Sequence, residues 1–215
     1  MVDQVEAEQG LVRYGKGLLQ DMLGKAAGEA IQGIAELVGE DIEVGSVKLR
    51  QIPAIELRKF IKAPSGILIG VGLNIQGDAT GNILLVYNPE VAFGLVDKIT
   101  GRPSNETSTL DGMGDVLGEM GNIVGSFFLN SLSNDTGMRL IPSPPVVMVH
   151  KAEKIMDFAL QQLPAGVSSI FITQSQFRTS NRKVNGDFLV VSTAQFLEAI
   201  VRRHRSLSQV CDGSS

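Results

Sequence analysis

The sequence predicts an α/β (α+β) fold made of two similar halves, a pseudo-twofold, mixed but mainly antiparallel sheet carrying two long helices packed together. Three observations lead there. The expected order of helix, short strand, two longer strands and helix runs through the chain twice. Two long stretches of helical apolar spacing each end at a glycine, Gly39 and Gly137. Those stops lie about 98 residues apart, which is the offset of an internal duplication. The halves are expected over about 11–100 and 110–205, forming one domain of residues 1–205.

Residues 1–10 are polar and expected to be loosely held. From Leu11 to Val38, the residues Leu18, Leu19, Met22, Leu23, Ala26, Ala30, Ile34 and Leu37 recur at helical spacing, and Gly39 can cap that helix in the left-handed conformation. A strand is expected near Ile42–Leu49. Two more follow over Gly66–Gln76 and Gly81–Asn88, joined by the turn Gly77-Asp-Ala-Thr-Gly. Pro89 suits the first turn of a short helix, Glu90–Thr100, and the polar stretch from Gly101 to Thr109 is a dividing loop. The second half repeats this order with a long helix over about 110–134 and strands near Met138–Ile141 and Val146–His150. A polar connector, Lys151–Gly166, has room for a helical turn. Strands Val167–Arg178 and Phe188–Ser192 and a helix over Thr193–Arg203 complete it, and the tail Ser206–Ser215 is expected to be disordered.

Composition narrows the functional classes. With 43% hydrophobic and 20% charged residues the chain reads as an ordinary globular domain. A net charge of -4 argues against nucleic acid as a partner, because phosphate contacts need a basic face. Cys211 is the only cysteine of the sequence, so neither an internal disulfide nor a cysteine metal cluster can form. His150 and His204 are too isolated in sequence to suggest a metal site or a catalytic triad. No stretch is long and apolar enough for a membrane span, and the acidic N-terminus lacks the form of a signal peptide, so the expected compartment is the cytoplasm.

Chemistry concentrates on the long helix of the second half. Over Leu110–Ser133 the residues Val116, Leu117, Met120, Ile123, Val124, Phe127 and Phe128 gather on one broad apolar face. Asp115, Glu119 and Asn122 fall within roughly 60° of one another on the opposite face. Between the faces runs a ridge of glycines, Gly114, Gly118, Gly121 and Gly125. A mid-helix glycine costs roughly 1 kcal/mol relative to alanine, so four of them need a reason. Two reasons are open. Gly118 and Gly121, flanking Glu119 and Asn122, could let a partner's backbone approach; or the ridge packs against the first helix with its Gly24, Ala27, Gly28 and Ala35.

Twenty-two residues beyond Asn122 stands Pro145, completing Asp115-x3-Glu119-x2-Asn122-x22-Pro145. This arrangement resembles the signature of the CheC/CheX/FliY phosphatases of bacterial and archaeal chemotaxis. The flanking text resembles CheC in particular: Asn82-Ile-Leu-Leu-Val-Tyr-Asn-Pro, Ile99-Thr-Gly-Arg-Pro, Gly121-Asn-Ile-Val-Gly-Ser and Leu140-Ile-Pro-Ser-Pro-Pro. The resemblance spans roughly residues 16–200. It implies the CheC-like fold and a hydrolase whose substrate is the aspartyl phosphate of a CheY-type response regulator.

The resemblance also implies roles. Asn122 would orient the attacking water and Glu119 would pair with a lysine of the regulator, while Asp115 is peripheral and Pro145 shapes the strand entry beneath the site. No cofactor is expected on this chain, and the Mg²⁺ of the reaction is expected on the regulator. A CheD-type receptor deamidase is a further possible partner. The same fold serves FliM-type switch proteins as a binding module, so a non-catalytic regulator-binding or CheD-binding role is the alternative. Shifting by the offset of the two glycine stops sets Gly17, Asp21, Gly24 and Val47 against Asp115, Glu119, Asn122 and Pro145. The first half therefore holds a degenerate site, with Asp21 a shortened carboxylate and Gly24 without an amide. Glu29 and Gln32 offer both groups in a different register, and a single active centre in the second half is expected.

Overall fold

The computed structural model describes residues 15–61, 66–101, 110–179 and 185–212. The first half comprises α1 (Lys16–Val38), β1 (Ile42–Val44), β2 (Lys48–Pro53), a 3-10 helix (Ala54–Lys59), β3 (Leu68–Gly77), β4 (Gly81–Tyr87) and α2 (Pro89–Thr100). The second comprises α3 (Leu110–Thr136), β5 (Leu140–Pro142), β6 (Val146–His150), α4 (Ala152–Gln161), β7 (Ser169–Thr179), β8 (Asn185–Ser192) and α5 (Ala194–Asp212). Both long helices stop where the glycines stand. Gly39 at φ 68° donates to the Ala35 carbonyl at 2.9 Å, and Gly137 at φ 65° donates to the Ser133 carbonyl at 2.7 Å. A left-handed residue at this position satisfies an orphan carbonyl of the last turn, and glycine adopts it without a Cβ penalty.

The eight strands form a single sheet, with β7, β8, β4 and β3 in its centre. β1 and β2 lie on one edge against β7, and β5 and β6 lie on the other against β3. Every ladder among the described residues is antiparallel, so the parallel component of the expected mixed sheet is absent there. Both edges are interrupted in the same way. Val44 faces Phe177 and Lys48 faces Gln174; Pro142 faces Ile75 and Val146 faces Gly72. Each edge thus holds one residue more than its partner strand, which is a β-bulge. That bulge splits the single strand expected over Ile42–Leu49 into β1 and β2.

One face of the sheet carries the main core, in which Leu23, Ala30 and Ile34 of α1 and Leu117, Val124 and Phe128 of α3 pack on Val71, Leu73, Leu85 and Val190. The two long helices pack against each other there, as the sequence predicts. Phe128 meets Phe188 of β8 with ring centroids 5.3 Å apart. The opposite face is covered by α4 and the 3-10 helix through Leu57, Ile155, Met156 and Ala159 over Leu84, Ile172 and Leu189.

Here the sequence reading falls short. The connector Lys151–Gly166 contains a ten-residue helix rather than a turn. Its buried Ile155, Met156 and Ala159 show helical spacing, masked by polar neighbours. It sits so close that a Cβ at Gly70 would meet Ile155 Cγ2 at 2.7 Å, and one at Gly72 would meet Phe158 Cε1 at 2.6 Å. The C-terminal helix also runs on past Arg203 to Asp212, where a disordered tail was expected from Ser206. Leu207 explains part of this, because its side chain packs by Gly137 at the end of α3.

Candidate functional site

α3 is held from below by apolar contacts and one polar one. The Tyr87 hydroxyl on β4 approaches Met120 Sδ at 3.9 Å, and its burial pushes the phenol pKa up, so it stays protonated. Laterally, Lys25 of α1 pairs with Asp135 at 2.7 Å. A Cβ at Gly33 would meet Phe127 Cδ2 of α3 at 2.9 Å, so α1 and α3 approach closely at that point. These contacts set how α3 is rotated on the sheet.

The polar face of α3 is left outward. Asp115 and Glu119 are exposed and Asn122 is half-buried. None of their side chains has a hydrogen-bond or ion-pair partner among the described residues. Spaced one turn apart, Glu119 and Asn122 project side by side, roughly 5–6 Å between Cβ atoms. The face is therefore a carboxylate and an amide with unused hydrogen-bonding capacity on a rigid support.

The glycine ridge has a different use from either one expected. At Gly118, Gly121 and Gly125 it packs neither on α1 nor toward solvent but onto the sheet. A Cβ at Gly121 would lie 2.5 Å from Val71 Cγ1 and 3.7 Å from Pro145 Cβ. One at Gly118 would lie 3.5 Å from Pro145 Cγ and 3.9 Å from Val147 Cγ2, and one at Gly125 would lie 3.1 Å from Leu73 Cδ2 and 3.7 Å from Pro142 Cβ. Gly118 and Gly121 are thus buried seats for the strands, not an approach path for a partner. Gly114, at the helix start, meets nothing within 4 Å. Gly114→Ala is accordingly expected to stabilise the fold by about 0.5–1 kcal/mol through helix propensity alone. Thermal unfolding reads it as a raised Tm; a lowered Tm would mean that Gly114 has a packing role.

The same packing brings the distant proline to the helix. Side chains alternate along a strand, so without the bulge Pro142 and Pro145 would point to opposite faces. The extra residue turns both toward α3, and Pro145 rests between Gly118 and Gly121, beside Glu119 and Asn122. Residues separated widely in sequence are assembled into one site.

The first half builds the same frame without the groups. On α1, Gly17 and Asp21 are exposed, and a Cβ at Gly24 would lie 3.8 Å from Val47 Cγ2, so Val47 takes the place that Pro145 has on α3. Glu29 and Gln32 are exposed on α1, and neither has a hydrogen-bond partner among the described residues. Among the described residues no group of three or more His, Cys, Asp or Glu is placed to hold a metal ion, and no helix is long and apolar enough to cross a membrane. A surface depression of about 420 Å³ lies elsewhere, at the β1/β7/β8 corner among Glu43, Arg178 and Asp187.

Residues 114–149, which contain the glycine ridge, Glu119, Asn122 and Pro145, match the model of the CheC-like family. Over this segment the chain is similar to the CheC-like family. It is 26% identical over 172 residues to the CheY-P phosphatase CheC of Bacillus subtilis (strain 168), covering 77% of this chain and 81% of that one. Thermotoga maritima FliY shares its fold with a TM-score of 0.67 at 19% identity, over 87% of this chain and 96% of that one. The FliM middle domain from H. pylori shares it with a TM-score of 0.60 at 13% identity, over 86% and 94%. The segment similar to the CheC-like family thus coincides with the assembled site, on a fold shared with these proteins.

Proposed function

We propose that this chain is a cytoplasmic hydrolase of chemotaxis signalling that removes the phosphoryl group from the aspartyl phosphate of a CheY-type response regulator. The observation carrying this is the pairing of exposed Glu119 with half-buried Asn122, both without partners among the described residues, beside Pro145. Likeness to a protein named CheY-P phosphatase supports the same substrate class.

An acyl phosphate is already reactive, so the chain needs to supply position rather than a nucleophile. In the proposed step a water oxygen attacks phosphorus, the bond from phosphorus to the aspartyl oxygen breaks, and the carboxylate leaves. Asn122 enters the regulator's site and holds that water in line, since an uncharged amide can both donate to and accept from it. Glu119, one turn away, pairs with a lysine of the regulator and sets the docking register. Mg²⁺ is supplied by the regulator and offsets phosphoryl charge there. A hundredfold acceleration requires about 2.7 kcal/mol of transition-state advantage, within reach of one oriented amide.

The test mixes the chain with a phosphorylated receiver domain and follows release of inorganic phosphate. Faster release than from the receiver alone is expected. Tight binding without faster release would favour a binding module instead, the reading supported by the shared fold with FliM. The assay is then repeated with a CheD-type receptor deamidase present, a second proposed partner.

One active centre is proposed. Gly24→Asn has room, because the new Cβ makes only ordinary contact with Val47. It is nevertheless expected to restore no phosphate release in an Asn122→Ala background, because Asp21 is one methylene shorter than Glu119 and Val47 stands in place of the proline. Restored release would show that the first half retains a working frame.

A further inference from the structure

We propose that Ser143 is a positioning residue of this site, holding Pro145 against α3 and thereby setting where Asn122 stands; the inference rests on the phosphatase reading. The edge between β5 and β6 reads Pro142-Ser143-Pro144-Pro145. Prolines have no backbone N–H, so Ser143 carries the only main-chain donor of these four residues. It uses that donor to tie the bulge to β3, from its N–H to the Asn74 carbonyl at 2.8 Å. Its side chain closes the loop. The hydroxyl oxygen accepts from the Asn74 N–H at 3.0 Å and the hydroxyl donates to the Pro144 carbonyl at 3.0 Å. Ser143 is itself buried, and its two hydroxyl bonds are part-buried.

The clamp therefore holds the peptide group directly before Pro145. The proline ring is the shim between the edge strand and the helix, close to Gly118 and Gly121. The first half offers a natural comparison. There the same place in the bulge is Gly45, whose N–H donates to the Gln176 carbonyl at 2.7 Å and whose carbonyl accepts from Ser175 Oγ at 3.1 Å. Gly45 has no side chain to grip the next peptide, and that half has neither the proline nor the amide. The bulge forms in both halves, while a hydroxyl on the bulge residue itself, donating to the peptide before the proline, is found in the half that carries Asn122.

Ser143→Ala deletes the clamp and leaves the backbone bond. With a phosphorylated receiver as substrate, kcat is expected to fall about tenfold while KM changes by less than about twofold, since displacement of a catalytic amide acts on the chemical step. Ser143→Thr keeps the hydroxyl and is expected to recover most of kcat. Ser143→Gly reproduces the Gly45 arrangement and serves if the alanine variant does not fold. In the same samples, NMR is expected to show faster exchange of the Asn74 amide hydrogen and a shifted Asn122 side-chain amide resonance in Ser143→Ala. Unchanged kcat, an effect confined to KM, or no recovery with threonine would overturn the proposal. If wild type released no phosphate from the receiver, the phosphatase reading would fail; the Asn122 resonance would then decide, an unmoved signal overturning the clamp and a moved one supporting it.

Discussion

Asn122→Ala is expected to lower the acceleration of phosphate release by about 100-fold, a loss of about 2.7 kcal/mol of transition-state stabilisation. The expectation follows from the position of the amide. It is half-buried on a helix whose rotation is set by the sheet beneath, and it is uncommitted among the described residues. Removing it leaves the carboxylates Asp115 and Glu119 as its neighbours on the N-terminal side, and these would repel a phosphoryl oxygen. Stability should move the other way, because no hydrogen bond within the fold is lost and alanine is the better helix former, by roughly 0.5 kcal/mol. Phosphate release at saturating receiver and thermal unfolding of the same preparations separate the two. A variant that keeps its Tm and its full rate would remove Asn122 from the mechanism. A variant that loses both would assign it a structural role.

Gly121→Ala is expected to damage stability and activity together. The new methyl would stand 2.5 Å from Val71 Cγ1, a short β-branched side chain in the middle of β3 that cannot swing away. Overpacking of this kind costs about 1–3 kcal/mol, against a helix-propensity gain of about 1 kcal/mol, so a net loss of about 1–2 kcal/mol is expected. In a chain of this size that lowers Tm by about 2–4 °C per kcal/mol. The helix can relieve the contact only by lifting from the sheet, which also lifts Asn122 away from Pro145. Adding Val71→Ala removes the obstructing methyl groups and should recover part of both Tm and phosphate release. No recovery in the double variant would mean that the glycine serves something other than helix–sheet contact. The contrast with Gly114→Ala, expected to stabilise, makes this a test within one helix.

The long helices were legible because their signals are local. A 3.6-residue apolar period, two glycine stops and turn residues around Gly77 act within a few residues of where they stand, and backbone sterics enforce them. The polar trio on α3 was legible for the same reason, since i, i+4 and i+7 spacing places side chains on one face whatever lies beyond. The connector 151–166 was misread because its helix is only ten residues long, and the buried Ala152, Ile155, Met156 and Ala159 stand among charged and polar neighbours.

The sequence by itself determined which groups share the outward face of α3 and that twenty-two residues separate Pro145 from Asn122. Tertiary structure alone decided what the glycines are for. The ridge could have met another helix, a partner or a sheet, and only strand pairing placed Val71, Leu73 and Pro145 beneath it. It also decided the direction of Pro145, because one extra residue in the edge strand reverses which face each side chain takes. Pairing register depends on contacts between segments far apart in the chain, and such contacts leave no local periodicity to read.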